Sequence, residues 1–155
     1  MAGETLVSLF GKQARLTPEA LAVVGVDRTL TYAALDRLSS QVAAYLQSLA
    51  IGPGDLVLVQ AHRSVELIVA LLAVIKTGAA FVPLDRQLPL ARKEYIARQC
   101  NAALVLSTHP SDSWPILACR VETVAGILAS PTAAPFRPVD VSPTDAMYVI
   151  FTSGT

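Results

Sequence analysis

The chain has 155 residues, of which 53% are hydrophobic and only 15% charged. That length and composition allow a buried core and exclude intrinsic disorder, which needs low hydrophobicity and high net charge. Twelve basic and twelve acidic residues cancel, so neither nucleic acid nor an anionic membrane is expected as a partner, since both call for a basic excess.

Residues 6–15 form a short amphipathic helix that ends before Thr17-Pro18. A strand follows over 21–26, Asp27-Arg28 turn the chain, and Thr29-Leu30 start a second short strand. Thr31 stands at a helix N-cap. Behind it Tyr32, Leu35, Leu38, Val42, Tyr45, Leu46 and Leu49 recur near the helical period, giving one apolar face. Gly52-Pro53-Gly54-Asp55 stops this helix, and 56–59 is a continuous apolar run, the pattern of a strand covered on both faces. Ser64 caps the next helix, predicted to run to about Lys76 with Gly78 beyond its end; it has almost no polar side and is therefore a buried helix. A strand over 79–82 is expected to halt at Pro83. Pro89 suits the first turn of a helix through about Gln99, and 103–106 is another strand.

Residues 107–118 read as loop, with Trp114 packed among neighbouring prolines. A short strand near Arg120 and a short helix over 124–128 come next. Pro131, Pro135, Pro138 and Pro143 mark an extended connector rather than a domain linker, and a last strand is expected over 147–151. Strands alternating with helices of this length predict an α/β layered fold with a mostly parallel sheet flanked by helices, in one domain. The N-terminus lacks the basic and apolar segments of a signal peptide, and the longest apolar run, 67–75, is far short of the roughly 20 residues of a membrane span. A cytoplasmic setting is expected.

Chemistry is expected at the carboxyl ends of the strands, where open parallel sheets bind ligands. Thr152-Ser153-Gly154-Thr155 follows the last predicted strand there. Gly154 permits close backbone approach, and exposed N–H groups with three hydroxyls can donate to phosphate oxygens without adding charge. A turn of this composition also often serves only to reverse the chain. The lysine-bearing GxxxxGK[ST] loop is absent. Neutral donors cannot balance a triphosphate, so a divalent cation and a lysine or arginine must come from elsewhere, and no residue near in sequence supplies them. The stretch from Lys76 to Asp85 reads as structural: Lys76 suits the negative end of a helix dipole, Gly78 ends the helix, and Asp85 can cap backbone N–H groups of the following loop. His62 and His109 read as ordinary surface or loop histidines, since no nucleophile in an elbow motif accompanies them. Cys100 and Cys119 form no CxxC pair and are expected as free thiols. Asp and Glu show no metal-ligand spacing. No catalytic residue and no metal ligand is assigned within the chain.

Three segments in order carry a resemblance. They are Leu30-Thr31-Tyr32-Ala33-Ala34-Leu35, the stretch from Lys76 to Asp85, and Tyr148-Val149-Ile150-Phe151-Thr152-Ser153-Gly154-Thr155. With the Gly52-Pro53-Gly54-Asp55 turn and the Arg63-Ser64-Val65-Glu66-Leu67 helix start, they resemble the adenylation domains of non-ribosomal peptide synthetases. Those domains lie within the adenylate-forming superfamily of acyl-CoA synthetases and luciferases. The resemblance implies that residues 1–155 are a single partial domain, the N-terminal portion of the adenylation core, ending inside the phosphate-binding loop. It implies a reaction in which an amino acid carboxylate attacks the α-phosphate of Mg-ATP, and the acyl group then passes to the phosphopantetheine thiol of a carrier protein.

By the same resemblance, Thr152, Ser153, Gly154 and Thr155 begin the loop over the ATP phosphates. The substrate pocket, the magnesium ligand and the catalytic lysine of the mobile subdomain lie beyond Thr155. ATP and Mg2+ are thus expected to serve the full enzyme, with no tight binding by this chain and no activity of its own. The implied partners are the remainder of the adenylation domain, the carrier protein and neighbouring synthetase domains. Thr77 and Arg86 depart from the alanine and proline usual in the family. Two other readings stay open: a fragment of an acyl- or aryl-CoA ligase, and a non-catalytic docking module, which the low charge would suit.

Overall fold

A computed structural model describes residues 3–109 and 119–152. The elements run in chain order as helix α1 (Leu6–Leu16), strands β1 (Leu21–Val24) and β2 (Thr29–Thr31), helix α2 (Tyr32–Ser48), strand β3 (Leu56–Ala61), helix α3 (Val65–Lys76), strand β4 (Ala80–Asp85), helix α4 (Leu90–Gln99), strands β5 (Leu104–Ser107) and β6 (Val121–Thr123), and helix α5 (Val124–Ala129). The caps sit where the sequence puts them. The Thr31 hydroxyl accepts from the Ala34 N–H at 3.2 Å, and the Ser64 hydroxyl accepts from Leu67 at 3.3 Å. Gly78, at φ 83°, turns the chain from α3 into β4.

Strands β1 and β2 form an antiparallel hairpin, while the other four make a parallel sheet in the order β4-β3-β5-β6. Side chains alternate across that sheet. Val57, Val59, Leu104 and Leu106 face one way and join the core built by α2, α3 and α5. Leu58, Val82, Leu84 and Val105 face the other way, against Ile96 and Ala97 of α4. The crossover from β3 to β4 runs one way along the sheet and that from β4 to β5 runs the other. With α3 and α4 on opposite faces, both crossovers have the same hand, as right-handed βαβ units require.

Two expectations need correction, and one residue explains both. Strand β4 does not halt at Pro83 but continues to Asp85. Ala80 donates to Asp55 on the β3 side, whereas the N–H and C=O of Phe81 bond outward, to Met147 at 3.0 Å and from Val149 at 2.9 Å. Residue 83 shares the outward side with residue 81, so the missing proline N–H costs the β3–β4 ladder nothing. The final strand expected over 147–151 does not form. The segment makes a single parallel bridge, Phe81 to Tyr148, with the two rings stacked at 5.8 Å. The next ladder bond outward would run from the nitrogen of residue 83 to the Val149 carbonyl, and proline has no hydrogen to give.

The proline-rich segment is extended, as expected, and is tied to the body. Gln47 of α2 donates to the Arg137 carbonyl at 2.7 Å and accepts from the Arg137 N–H at 3.0 Å, while Phe136 packs on the main core. Along the β4 edge lies an apolar groove of about 280 Å³ whose lining includes Leu6, Phe10, Ile68, Leu71, Phe81 and Met147. Among the described residues no helix is long and apolar enough to cross a membrane.

Candidate phosphate site at the carboxyl edge of the sheet

The carboxyl ends of β3 and β5 lie side by side in the sheet, the end at which open parallel sheets bind ligands. The His62 N–H donates to the Thr108 hydroxyl at 3.0 Å, and the Thr108 N–H reaches the Gln60 carbonyl at 3.4 Å. His62 and His109, distant in sequence and read there as unrelated, meet edge to face with ring centroids 6.0 Å apart. Only strand pairing brings them together, so spacing carried no signal of it.

One strand over, the turn after β4 is held from two sides. Asp85 accepts from the Gln87 N–H at 2.8 Å, the loop-capping role expected of it. Lys93 of α4 donates to the Arg86 carbonyl at 2.8 Å and to the side-chain oxygen of buried Gln60 at 2.9 Å. Arg86, standing where the resemblance leads one to expect proline, is thus part of a turn braced by a carboxylate and an ammonium.

Beyond the β4 edge, the segment that bridges Phe81 emerges as Val149, Ile150, Phe151 and Thr152. Thr152 is exposed. Its carbonyl accepts from Arg92 Nη2 at 3.4 Å, across 60 residues of sequence. Ser153, Gly154 and Thr155 lie outside the described residues. The cation expected from elsewhere in the chain has a candidate here, 60 residues away in sequence. The fold carries the first turn of α4, with Arg92 and Lys93, to the place where the predicted phosphate loop begins. A guanidinium beside neutral N–H and hydroxyl donors is a set suited to a phosphate oxygen, because it adds charge that those donors lack. No group of three or more His, Cys, Asp and Glu that could hold a metal occurs among the described residues.

Lys76 lies elsewhere, at the far end of α3, and is 4% exposed. Its ammonium pairs with Asp36 at 2.7 Å and donates to the Ser39 and Ser40 hydroxyls at 2.8 and 2.9 Å. The Phe10 and Phe136 rings flank it at 5.3 and 5.9 Å. Burial pushes its pKa down, and Asp36 pulls it part of the way back. The structural role expected of Lys76 stands, but as a lock between elements more than as a partner of the helix dipole. Both cysteines are free, and burial pushes each thiol above the ordinary range.

Tyrocidine synthase 2 of Brevibacillus parabrevis is 36% identical over 97% of this chain, which spans 4% of that protein. The nonribosomal peptide synthetase FmoA3, solved in an alpha-methyl-L-serine-AMP bound form, superposes with a TM-score of 0.87 at 30% identity, covering 99% of this chain and 18% of that one. An artificially fused adenylation–PCP di-domain, NpsA-ThdA from Klebsiella oxytoca, gives a TM-score of 0.87 at 25% identity over 99% of this chain and 29% of its own. The AMP-binding enzyme model matches residues 10–155, and by that match this chain belongs to the AMP-binding enzyme family.

Proposed function

We propose that residues 1–155 are a single partial domain, the N-terminal part of the core of an amino-acid-activating adenylation unit. In the whole enzyme an amino acid carboxylate attacks the α-phosphate of ATP; a new acyl–oxygen–phosphorus linkage forms and pyrophosphate leaves. The phosphopantetheine thiol of a carrier protein then attacks the acyl carbon; a thioester forms, the acyl–oxygen bond breaks, and AMP leaves with the thiol proton going to solvent. The observation that carries this reading is the position of Thr152. It leaves the sheet edge at the carboxyl side, with an arginine against its carbonyl and a hydroxyl-rich turn still to follow.

Thr152, Ser153, Gly154 and Thr155 are the residues we assign to the ATP phosphates. Magnesium, when bound with ATP, supplies charge neutralisation between phosphate oxygens. Its protein ligand is proposed to lie in other parts of the enzyme. This chain's own contribution is positioning: the sheet fixes where the loop starts, and the turn after β4 is braced beside it. The remainder of the adenylation domain, the carrier protein and neighbouring synthetase domains are the proposed partners, in a cytoplasmic setting. The di-domain relative, in which an adenylation unit is fused to a carrier protein, supports the carrier as partner.

ATP–pyrophosphate exchange tests the proposal. A synthetase carrying this segment is expected to catalyse exchange that depends on one amino acid, and the 155-residue chain alone is expected to catalyse none. Exchange driven by fatty or aryl acids, with coenzyme A as the acceptor, would replace this reading by an acyl-CoA ligase. Amino-acid-dependent exchange by the isolated chain would refute the assignment of the missing catalytic parts to other segments.

A further inference from the structure

Strands β3 and β5 are parallel neighbours, and their last register pair is Gln60 with Ser107. Continuing that register by two residues sets His62 against His109. Each histidine follows its strand on the carboxyl side. Hydrogen bonds hold both backbones there. The His62 N–H donates to the Thr108 hydroxyl at 3.0 Å, and the His62 carbonyl accepts from the Ser64 hydroxyl at 3.2 Å. The His109 N–H donates to the Ser107 hydroxyl at 3.2 Å, and that hydroxyl reaches the His109 carbonyl at 3.1 Å. Ser107 and Thr108 are both buried, so the two imidazoles stand on a fixed base. Their ring centroids are 6.0 Å apart and their planes cross at 73°.

We propose that His62 and His109 form a two-imidazole site for a divalent transition-metal ion such as zinc. With an imidazole nitrogen about 2.0–2.1 Å from zinc, two rings sharing one ion have centroids about 5–6 Å apart. The observed separation falls at the open end of that range, so small side-chain rotations complete the geometry. Each ring has two nitrogens, and one can take the ion while the other keeps a hydrogen bond. His62 is exposed and His109 half-buried, which lets an ion enter and leaves its other coordination positions to water. Asp27 and Glu66 line the cavity beside His62 together with Arg28 and Arg63, so formal charges cancel there and coordination, not the local field, holds the ion. Imidazole suits zinc, copper and nickel, whereas magnesium and calcium call for oxygen donors. The site is therefore separate from the magnesium that accompanies ATP, and it does not depend on the phosphate assignment. A bound ion ties the ends of β3 and β5 together beyond their backbone ladder.

The test titrates the 155-residue chain with Zn2+ alone and follows the imidazole nitrogens by NMR. The chain has two histidines, so those signals report this pair and nothing else. In the parent, one ion is expected to shift both rings together, and saturating Zn2+ is expected to raise the urea midpoint. The second imidazole meets an ion already held by the first, so His62→Gln and His109→Gln are each expected to weaken Zn2+ binding about a hundredfold and to abolish the stabilisation. Circular dichroism of the metal-free variants is expected to match the parent; exposed His62 keeps the test decisive if His109→Gln folds poorly. Millimolar Mg2+ is expected to leave both rings unshifted. No shift with Zn2+, a shift of one ring alone, or parent affinity in His62→Gln overturns the proposal. Stabilisation by Zn2+ that survives in both variants places the ion at other groups, the two thiols included, and overturns it as well. An equal response to Mg2+ overturns the assignment to a transition metal.

Discussion

An ammonium group at 4% exposure has to be held by something, and Lys76 shows how the holding is divided. Its charged partner Asp36 has a side chain 48% exposed, so solvent weakens that pair. The Ser39 and Ser40 hydroxyls, the Asp36 carbonyl and two aromatic rings do the rest. If the aliphatic stem carries most of the stabilisation, Lys76→Met is expected to cost about 1 kcal/mol or less, because a buried ion pair exchanged for an apolar side chain of similar size is often near neutral. Lys76→Ala opens a cavity among α1, α2, α3 and Phe136 and is expected to cost about 2–4 kcal/mol. Urea unfolding of the two variants separates the cases; equal losses would mean that the charge, not the stem, is what matters. Sequence placed Lys76 correctly at the end of a helix. It was silent on the cluster, because Phe10, Asp36 and Phe136 come from three other parts of the chain.

The elements divide by how local their causes are. Thr31 and Ser64 were legible as caps because a cap is a contact between residues three apart. The buried helix α3 was legible because its sequence leaves no polar side. Pro83 misled because its effect depends on which edge of the strand faces a neighbour, and that is set by pairing with β3 and not by proline itself. The failed strand over 147–151 has the same origin. Replacing Pro83 with valine supplies an N–H facing the Val149 carbonyl and suits a strand. The variant is expected to extend the bridge into a short ladder and to add about 0.5–1.5 kcal/mol. Hydrogen exchange measures this directly: a newly protected amide at residue 83 and slower exchange over 147–151 are the expected outcome. Exchange at parent rates would show that the interruption has another cause. The cationic start of α4 was equally unreadable, since only the crossover past β3 tells where Arg92 ends up.

Over the whole molecule, apolar surface is distributed unevenly. The sheet interior is sealed on both faces, yet the groove along the β4 edge collects half-buried or exposed apolar side chains. Leu6 at 51% and Ile68 at 38% exposure line this groove. An apolar reporter dye such as anilinonaphthalene sulfonate is expected to bind the native chain there. Ile68→Glu, which adds a charge on the solvent side of α3, is expected to reduce the dye signal without changing the circular dichroism spectrum. Equal dye fluorescence from both proteins would place the apolar site elsewhere. The fold class, element order and membership in a family of adenylate-forming enzymes were all legible at this scale, because periodicity and motif order survive without knowledge of contacts. The neighbours of each strand's carboxyl end were not, because strand order is absent from the sequence.

The bridge between Phe81 and Tyr148 is closed by two backbone hydrogen bonds and one ring stack. It joins strands through a long detour of chain, so its loop-closure entropy is recovered only once β4 is already in place. In time, then, the segment leading to Thr152 is expected to dock late in folding and to be among the first to let go. Its release opens a small part of the structure at a fraction of the global unfolding free energy, while β3, β4 and β5 stay paired. The segment from Met147 to Thr152 is thus expected to open and re-form within the lifetime of one folded molecule.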